Sequence, residues 1–183
     1  QMQSFNRWTR DYIYDTATNR LLRHEGSVNV YTYDTHGNML SMPHLTQMLW
    51  DAKDRLIKTS LNPAQGGTAG DANTTWYRYD LSGQRVRKVC LKSNITEERI
   101  YLSGCEIYRR TNSGALQTER HTLHIDDDQK KIAFVETLTV ADSHPLTTPE
   151  SLIRYQYDNH LGSACLELDA SAAIISYEEY HPF

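Results

Sequence analysis

The feature that most constrains the fold of this 183-residue chain is a short unit that recurs along it. Each copy has an aromatic segment, an Asp, a short turn and then an apolar segment. Side chains that alternate with a period of two are typical of a β-strand, and an Asp followed closely by Gly or Asn is typical of a tight reversal. The repeat therefore predicts antiparallel hairpins. Clear copies are YIYDTATNRLLR from Tyr12, VYTYDTHGNMLSM from Val30, MLWDAKDRLIKTS from Met48 and WYRYDLSGQRVRKVC from Trp76.

The turns are predicted from acidic residues and from the glycines that follow them. An Asp carboxylate can accept a backbone N–H two residues ahead, and a Gly three residues on supplies the positive φ that closes the turn. Asp54 stands where other copies have glycine, Asn19 comes one residue later than that position after Asp15, and both residue types tolerate a positive φ. Ala172 fits this position poorly and predicts another geometry for the last turn. The predicted turn residues are Asp34, Gly37, Asp51, Asp80, Gly83, Asp158 and Gly162.

The aromatic residues occupy alternate positions in each copy, so they share one side of a strand. Aromatic pairs on neighbouring strands stabilise a sheet, and we expect these rings to stack across strands. The predicted stacking residues are Tyr12, Tyr14, Tyr31, Tyr33, Trp50, Tyr77, Tyr79, Tyr155 and Tyr157.

The chain divides by composition into three parts. Residues 1–140 contain the repeats, residues 141–152 are a linker rich in Pro and Thr, and residues 153–183 form a terminal segment. Thr148, followed by Pro and Glu, could start one helical turn in the linker. The glycine-rich stretch at 62–75 is the best candidate for a mobile loop.

Charge and hydropathy exclude two classes of partner. The net charge is −4, with Lys and Arg scattered among Asp and Glu, so no basic face for nucleic acid is predicted. No apolar run approaches the eighteen or so residues that span a bilayer. The N-terminal residues lack a hydrophobic signal region, which we expect of an internal segment of a longer protein.

Two groups of acidic residues are candidate sites of chemistry. Asp126–Asp128 follow His121 and His124, which suggests a metal site, but a hairpin turn returning in a strand from Lys131 is the favoured interpretation.

Glu178 and Glu179 are adjacent, so on a strand they face opposite sides and are poorly placed for joint acid and base catalysis. We expect Tyr177 and Glu179 on one face and Glu178 and Tyr180 on the other. No nucleophile elbow, phosphate loop or dinucleotide turn is present. The chain is therefore predicted not to be an enzyme and to hold no cofactor or metal.

Four stretches carry a resemblance to a known family. The terminal segment IRYQYDNHLGSACLELDASAAIISYEEYHPF from Ile153 resembles the core that closes an RHS/YD-repeat array. MPHLTQMLWDAKDRL from Met42, YDLSGQRVRKV with ERIYLSGCEIYRR, and ERHTLHIDDDQKKIAFVET from Glu119 resemble RHS proteins related to the C component of insecticidal toxin complexes.

The resemblance implies an all-β fold in which antiparallel hairpins form a curved sheet, a fragment of an RHS-type shell. It implies a structural function, the encapsulation of a C-terminal toxin cargo in the full-length protein. The implied partners are the remainder of the shell or a toxin-complex protein, and the toxin cargo, with secretion as part of a larger toxin. Unpaired strand edges also predict self-association. The chain stops at Phe183, before the segment that completes the family's self-cleavage, and has no toxin domain, so neither activity is predicted.

Two other functions remain open from the sequence. The first is a cell-surface module that binds glycan or protein through exposed aromatic side chains, as the YD repeats of teneurin-like proteins suggest. The second is a self-processing peptidase that is active only in a complete protein, with Asp158 or Asp169 as candidate catalysts.

Overall fold

The computed structural model describes residues 11–24, 31–61, 73–127, 130–159 and 161–180. Within these ranges the chain consists of strands and turns, so the predicted all-β class is confirmed. The described residues contain no helical segment that could span a bilayer. Most of the proposed mobile loop at 62–75 lies outside the described residues, as does Asp128.

The chain separates into two compact units, Gln1–Trp76 and Tyr77–Phe183. In the first unit β1 pairs with β2 and β3 pairs with β4, each as an antiparallel hairpin, while β5, β6 and the first half of β7 form an antiparallel ladder. The strands are β1 (Tyr12–Tyr14), β2 (Leu21–His24), β3 (Thr32–Tyr33), β4 (Met39–Ser41), β5 (Leu45–Trp50), β6 (Leu56–Leu61) and β7 (Thr74–Tyr79).

The second unit is a meander in which each strand from β8 to β15 pairs antiparallel with the next. Strands β8 to β15 therefore form one continuous antiparallel sheet in sequence order within this unit. The remaining strands are β8 (Arg85–Lys92), β9 (Ile95–Leu102), β10 (Cys105–Asn112), β11 (Ala115–Asp126), β12 (Lys131–Ala141), β13 (His144–Asp158), β14 (Ala164–Leu168) and β15 (Ile174–Tyr177).

Four hairpins of the second unit have two-residue turns that the repeat pattern did not predict, and in two of them both turn residues have a positive φ. Ser113 and Gly114 join β10 to β11 with φ values of 49° and 83°, and Asp142 and Ser143 join β12 to β13 with 47° and 68°. Two successive residues with positive φ are typical of the type I′ turn, whose twist matches that of the strands it connects. These turns allow long, regular strands on both sides.

The sheet buries few apolar side chains. Among the described residues, the buried apolar side chains are Met48 and Ala133, each about one-twentieth exposed. Thr74 is fully buried and its Oγ1 lies 3.2 Å from Oγ of Ser60 on the neighbouring strand. Most other side chains in the strands are half-buried or exposed, so neither unit has the continuous apolar core of a two-layer domain.

The predicted helical turn after Thr148 is wrong, because these residues belong to β13. Glu150 pairs with Leu138 of β12, and the register shifts between Leu138 and Val140, where Pro145 is the next paired residue of β13. Proline lacks the backbone donor of a ladder and is tolerated at such irregularities. Strand β13 runs through the predicted linker into the terminal segment, and the three-part division of the chain stays a prediction.

The predicted hairpin at the acidic run is confirmed for the residues described. Strand β11 ends at Asp126 and β12 begins at Lys131. The Asp127 backbone N–H donates to the Lys130 carbonyl at 2.9 Å, and the Lys130 N–H donates to the Asp127 carboxylate at 2.9 Å. The first acidic residues of the run therefore end a strand and start a turn.

Candidate functional site

The candidate functional feature is a turn that recurs along the ladder, and Asp34 illustrates its geometry. Its carboxylate accepts the backbone N–H groups of His36 at 2.9 Å and Asn38 at 2.8 Å. The Gly37 N–H donates to the Asp34 carbonyl at 3.3 Å, and Gly37 has a φ of 97°. A three-residue loop closed by a residue in the left-handed region is the standard alternative to the two-residue hairpin turn.

The same turn follows Asp51 without a glycine. The Asp51 carboxylate accepts the N–H groups of Lys53 and Arg55 at 2.8 and 3.0 Å, and Asp54 takes the closing position with a φ of 56°. Arg55 also donates its side-chain Nε to Asp51 at 2.8 Å. The hydrogen bonds from Arg55 and the Lys53 backbone lower the pKa of Asp51 from 3.8 to about 2.

Asp80 and Gly83 form a further copy. The Asp80 carboxylate accepts the N–H of Gln84 at 2.9 Å and the hydroxyl of Ser82 at 2.7 Å. Gly83 has a φ of 89°. A Cβ at Gly83 would meet no atom within 4 Å, so the requirement for glycine comes from the backbone conformation alone.

In the turn before β14, Asn159 and not Asp158 accepts the turn hydrogen bonds, which corrects the prediction for Asp158. Asn159 Oδ1 accepts the N–H groups of Leu161 at 2.9 Å and Ser163 at 3.1 Å. The Gly162 N–H donates to the Asn159 carbonyl, and Gly162 has a φ of 77°. Asp158 is the last residue of β13. The closing glycine thus lies three residues after its acceptor, as Gly37 and Gly83 do after Asp34 and Asp80.

The last turn has the same geometry as the others, so the expectation of a different one at Ala172 is wrong. Ala172 has a φ of 63°, and its N–H donates to the Asp169 carbonyl at 3.0 Å. The Asp169 carboxylate accepts the N–H groups of Ser171 and Ala173. These hydrogen bonds hold a non-glycine residue in the left-handed region.

Consecutive turns of the first unit contact each other. His36 Nδ1 and Asn38 Nδ2 lie 2.8 and 2.7 Å from the Asp54 carboxylate, and Asn38 also donates to Asp34 at 3.0 Å. The hydrogen bond with Asp54 raises the pKa of His36. Sequence reasoning missed this link because the residues belong to different copies of the repeat.

Two of the predicted aromatic residues contact cations. The Arg20 guanidinium lies 5.4 Å from the Tyr33 ring, and the Arg85 guanidinium lies 5.8 Å from Tyr77 and 4.8 Å from Tyr101. These distances are those of cation–π contacts, which the sequence analysis did not predict. Ring stacking at the other predicted positions stays a prediction.

The polar groups of two aromatic side chains also connect different hairpins of the first unit. The Tyr33 hydroxyl donates to the Leu21 carbonyl at 2.9 Å, and burial raises the pKa of Tyr33. The Trp50 indole donates to the Met39 carbonyl at 2.8 Å. Both bonds join a repeat residue to the backbone of another strand.

The second unit has two different faces because its side chains alternate along each strand. The face that we call the apolar face has rows of apolar residues across the strands from β11 to β15. Its side chains are substantially exposed, for example 51% at Leu123 and 63% at Tyr177. The apolar face contains Leu123, Ile125, Val135, Ile153, Tyr155, Tyr157, Leu166, Leu168, Ile174 and Tyr177.

The opposite face, called the charged face, has basic and acidic side chains that alternate across strands. Arg154 lies between two carboxylates, 2.8 Å from Glu136 and 3.2 Å from Glu167, and Glu136 also lies 3.6 Å from Arg120. The contact of Arg154 Nε with Glu136 is an ion pair without hydrogen-bond geometry. The charged face contains Lys88, Lys92, Glu97, Arg99, Glu106, Tyr108, Arg110, Arg120, Glu136, Arg154 and Glu167.

Glu178 and Glu179 lie after the end of β15, and their carboxylates have separate partners. The Tyr177 hydroxyl donates to Glu179 at 3.0 Å, and the Tyr180 hydroxyl donates to Glu178 at 3.0 Å. Each hydrogen bond raises the pKa of its tyrosine. In the part of the chain that the structure describes, no three His, Cys, Asp or Glu residues are grouped to hold a metal.

Comparison with known proteins finds relatives that are named as toxin subunits. No family model matches the chain. Toxin subunits YenC1 and YenC2 of Yersinia entomophaga are 28% and 29% identical to it, and each alignment covers 98% of the chain. The chain spans only about a fifth of these relatives, 22% and 21% of their lengths.

Solved structures agree with this result. A TcdB2-TccC3 crystal structure matches 81% of the chain with a TM-score of 0.68 and 25% identity, and the match covers 7% of that structure's chain. The Photorhabdus luminescens Tc holotoxin pore, with a mutated TccC3, matches 94% with a TM-score of 0.67 and 25% identity, over 9% of its chain. The predicted resemblance to RHS/YD-repeat proteins, and to the C components of toxin complexes in particular, is confirmed.

We expect Asn159→Ala to lower the free energy of unfolding by about 1 kcal/mol, because it removes the acceptor of two backbone hydrogen bonds. Asp158→Ala should lower the free energy of unfolding by less than about 0.5 kcal/mol, since the Asp158 carboxylate lies 3.8 Å from Lys130, a long distance for an ion pair. Denaturant unfolding of both variants is the measurement. A larger loss of unfolding free energy from Asp158→Ala than from Asn159→Ala would indicate that Asp158 accepts the turn hydrogen bonds.

The Asp51 turn predicts a pH-dependent stability. A carboxyl whose pKa is lowered on folding stabilises the fold above its unfolded pKa of 3.8, and this stabilisation is lost as the pH falls through about 2. The Tm advantage of the parent chain over Asp51→Asn should therefore shrink from pH 5 to pH 2. Asp142→Asn is the control, because its carboxylate forms no hydrogen bond among the described residues. A constant Tm difference would contradict the assignment.

Proposed function

We propose that the chain is a wall segment of an RHS-type shell that encloses a toxin cargo within a longer, secreted toxin protein. The observation that supports this most is that the second unit is a sheet of consecutive antiparallel strands, β8 to β15, in which the buried apolar side chain among the described residues is Ala133. A single layer with an exposed apolar face needs a covering surface, and the interior of a closed shell provides one.

The comparisons support the same proposal. The relatives are named as toxin subunits, and one matched structure is that of a Tc holotoxin pore. The partners that we propose are the remainder of the shell or another toxin-complex protein, together with the cargo. Strand β15 has a neighbour on one side only within the described sheet, so its outer edge is open to a further strand or to a second copy of the chain.

Cysteine labelling distinguishes the two faces in the full-length polypeptide. Leu152 and Ile153 are adjacent on β13, have similar exposures of 41% and 37%, and face opposite sides. After Cys90, Cys105 and Cys165 are replaced by Ala, we expect Leu152→Cys and Ile153→Cys to react equally with a maleimide in the separate 183-residue chain. In the full-length protein one of them should become at least about tenfold slower.

A wall has an inner and an outer side, so equal labelling in the full-length protein would contradict the shell. Leu81→Cys is the matched control, because Leu81 is 96% exposed in a turn and should react in both forms. Protection of both strand positions would indicate a buried layer instead of a wall.

A second candidate function is a glycan-binding or protein-binding module. It is favoured by the tyrosines that are exposed together on the apolar face, with Tyr155, Tyr157 and Tyr177 exposed by 42%, 52% and 63%. Aromatic rings on an open surface are typical of such sites. If this function is the correct one, glycan-array binding should be present in the parent chain and lost in Tyr157→Ala, but retained in Leu81→Ala.

A further inference from the structure

A second feature of the charged face is a cavity of about 310 Å³ that lies over strands β8 to β11. The cavity is called the basic pocket. Four of its lining residues are basic and one is acidic, so its walls have a positive charge surplus. The basic pocket is lined by Lys88, Cys90, Lys92, Glu97, Arg99, Tyr108 and Arg120.

The charge surplus distinguishes this pocket from its neighbour on the same face. The neighbouring cavity, of about 330 Å³, is lined by three bases and three carboxylates, apart from His124, and these groups balance. Its bases are Arg99, Lys131 and Arg154, and its acids are Glu106, Glu136 and Glu167.

Ion pairs within the sheet do not neutralise the basic pocket. Lys92 lies 3.1 Å from Glu97, Arg99 contacts Glu106 of β10, and Arg120 lies 3.6 Å from Glu136. These three pairs use every carboxylate near the pocket. Arg110 lies on the charged face beside the pocket. Within the described residues, neither Lys88 nor Arg110 has an ion-pair partner. Two positive charges are therefore left over.

Tyr108 holds the pocket in a defined shape. The guanidinium carbons of Arg99 and Arg120 lie 5.0 and 5.3 Å from the centre of its ring. The Tyr108 hydroxyl also donates to Glu97 at 3.5 Å. Both guanidinium groups are thus positioned by the ring before any ligand arrives, which reduces the ordering cost of binding.

The spacing of the basic groups indicates the size of the ligand. Lys88, Arg99 and Arg120 lie in one row on β8, β9 and β11, with Tyr108 of β10 between the two arginines, and this row crosses three strand spacings, about 14 Å in all. A single phosphate or carboxylate cannot reach both ends. An extended peptide that runs across the strands presents every second side chain, about 7 Å apart, to this row, so acidic side chains at alternate positions can reach its cations.

We propose that the basic pocket binds an acidic segment of a partner polypeptide in an extended conformation. Its carboxylates pair with Lys88 and Arg110, the two cations that the sheet leaves unpaired, and with the guanidinium groups of Arg99 and Arg120. This site is on the charged face and does not depend on a shell function. Loss of binding and loss of face-selective labelling are therefore separate results.

The test uses a fluorescein-labelled peptide in which Glu alternates with Ser over about nine residues, titrated with the chain at low ionic strength. We expect anisotropy to report saturable binding, and no binding of the same peptide with Gln in place of Glu. Lys88→Gln should weaken binding about fivefold, as expected for one partly exposed charge-assisted contact. Glu97→Gln should tighten it about threefold, because the pocket loses its carboxylate.

Arg87→Gln is the matched control, since Arg87 precedes Lys88 on β8, faces the other side and contacts Glu98. Its affinity should change less than twofold. Equal losses in Arg87→Gln and Lys88→Gln, or no saturable binding in the parent chain, would overturn the proposal. Inorganic phosphate should compete only weakly, and competition at the same concentration as the peptide would assign the pocket to a single phosphate group instead.

Discussion

Hydrogen bonds between consecutive strands are the interaction on which this structure depends, because its described residues bury almost no apolar core. At Asp34, Asp51, Asp80, Asn159 and Asp169 the hairpin turn is closed by a side-chain oxygen that accepts backbone N–H groups, and the third residue after it takes a positive φ. Other hairpins of the second unit are closed by two-residue turns. Both arrangements align the two strands before any distant contact forms. Sequential hairpins then add one neighbour at a time, so the fold is built almost entirely from local pairings.

The alternation of side chains gives the second unit its two chemical characters. On the charged face, Arg154 bridges Glu136 and Glu167 and so joins three strands through two contacts. On the apolar face, rows such as Leu123, Val135 and Ile153 lie across three strands but remain partly exposed. Exposed apolar area has a free energy of about 25 cal/mol per Å² relative to burial. The apolar face therefore favours a covering surface, while the charged face is stable in water.

The turn positions could be predicted because their requirements are local. Asp34, Asp51 and Asp80 each accept N–H groups within four residues, so the sequence contains every group that the turn needs. Asn159 was not predicted because the Tyr-Asp pattern of the repeat assigns the turn to Asp158, the residue before it. Its signal was still in the sequence, since Asn offers the same acceptor oxygen as Asp and restores the spacing of three to the glycine.

Other features could not be derived in this way. The link between His36 and Asp54 joins two copies of the repeat, and nothing in either copy indicates that their turns meet. The cations around the Tyr108 ring come from two strands that flank β10, and their positions depend on the register of both pairings. The predicted aromatic residues other than Tyr31 lie in strands, but the guanidinium partners of Tyr33 and Tyr77 come from outside their own strands.

By itself, the sequence determined the class of fold, the sites of the Asp turns and the alternation that separates two faces, because each depends on residues within a few positions of one another. Only the tertiary structure decided which side chains meet across strands. Register shifts, such as the one beside Leu138, move every later pair along the ladder, and their size depends on how two whole strands fit together. The charge surplus of the basic pocket is a consequence of that fit.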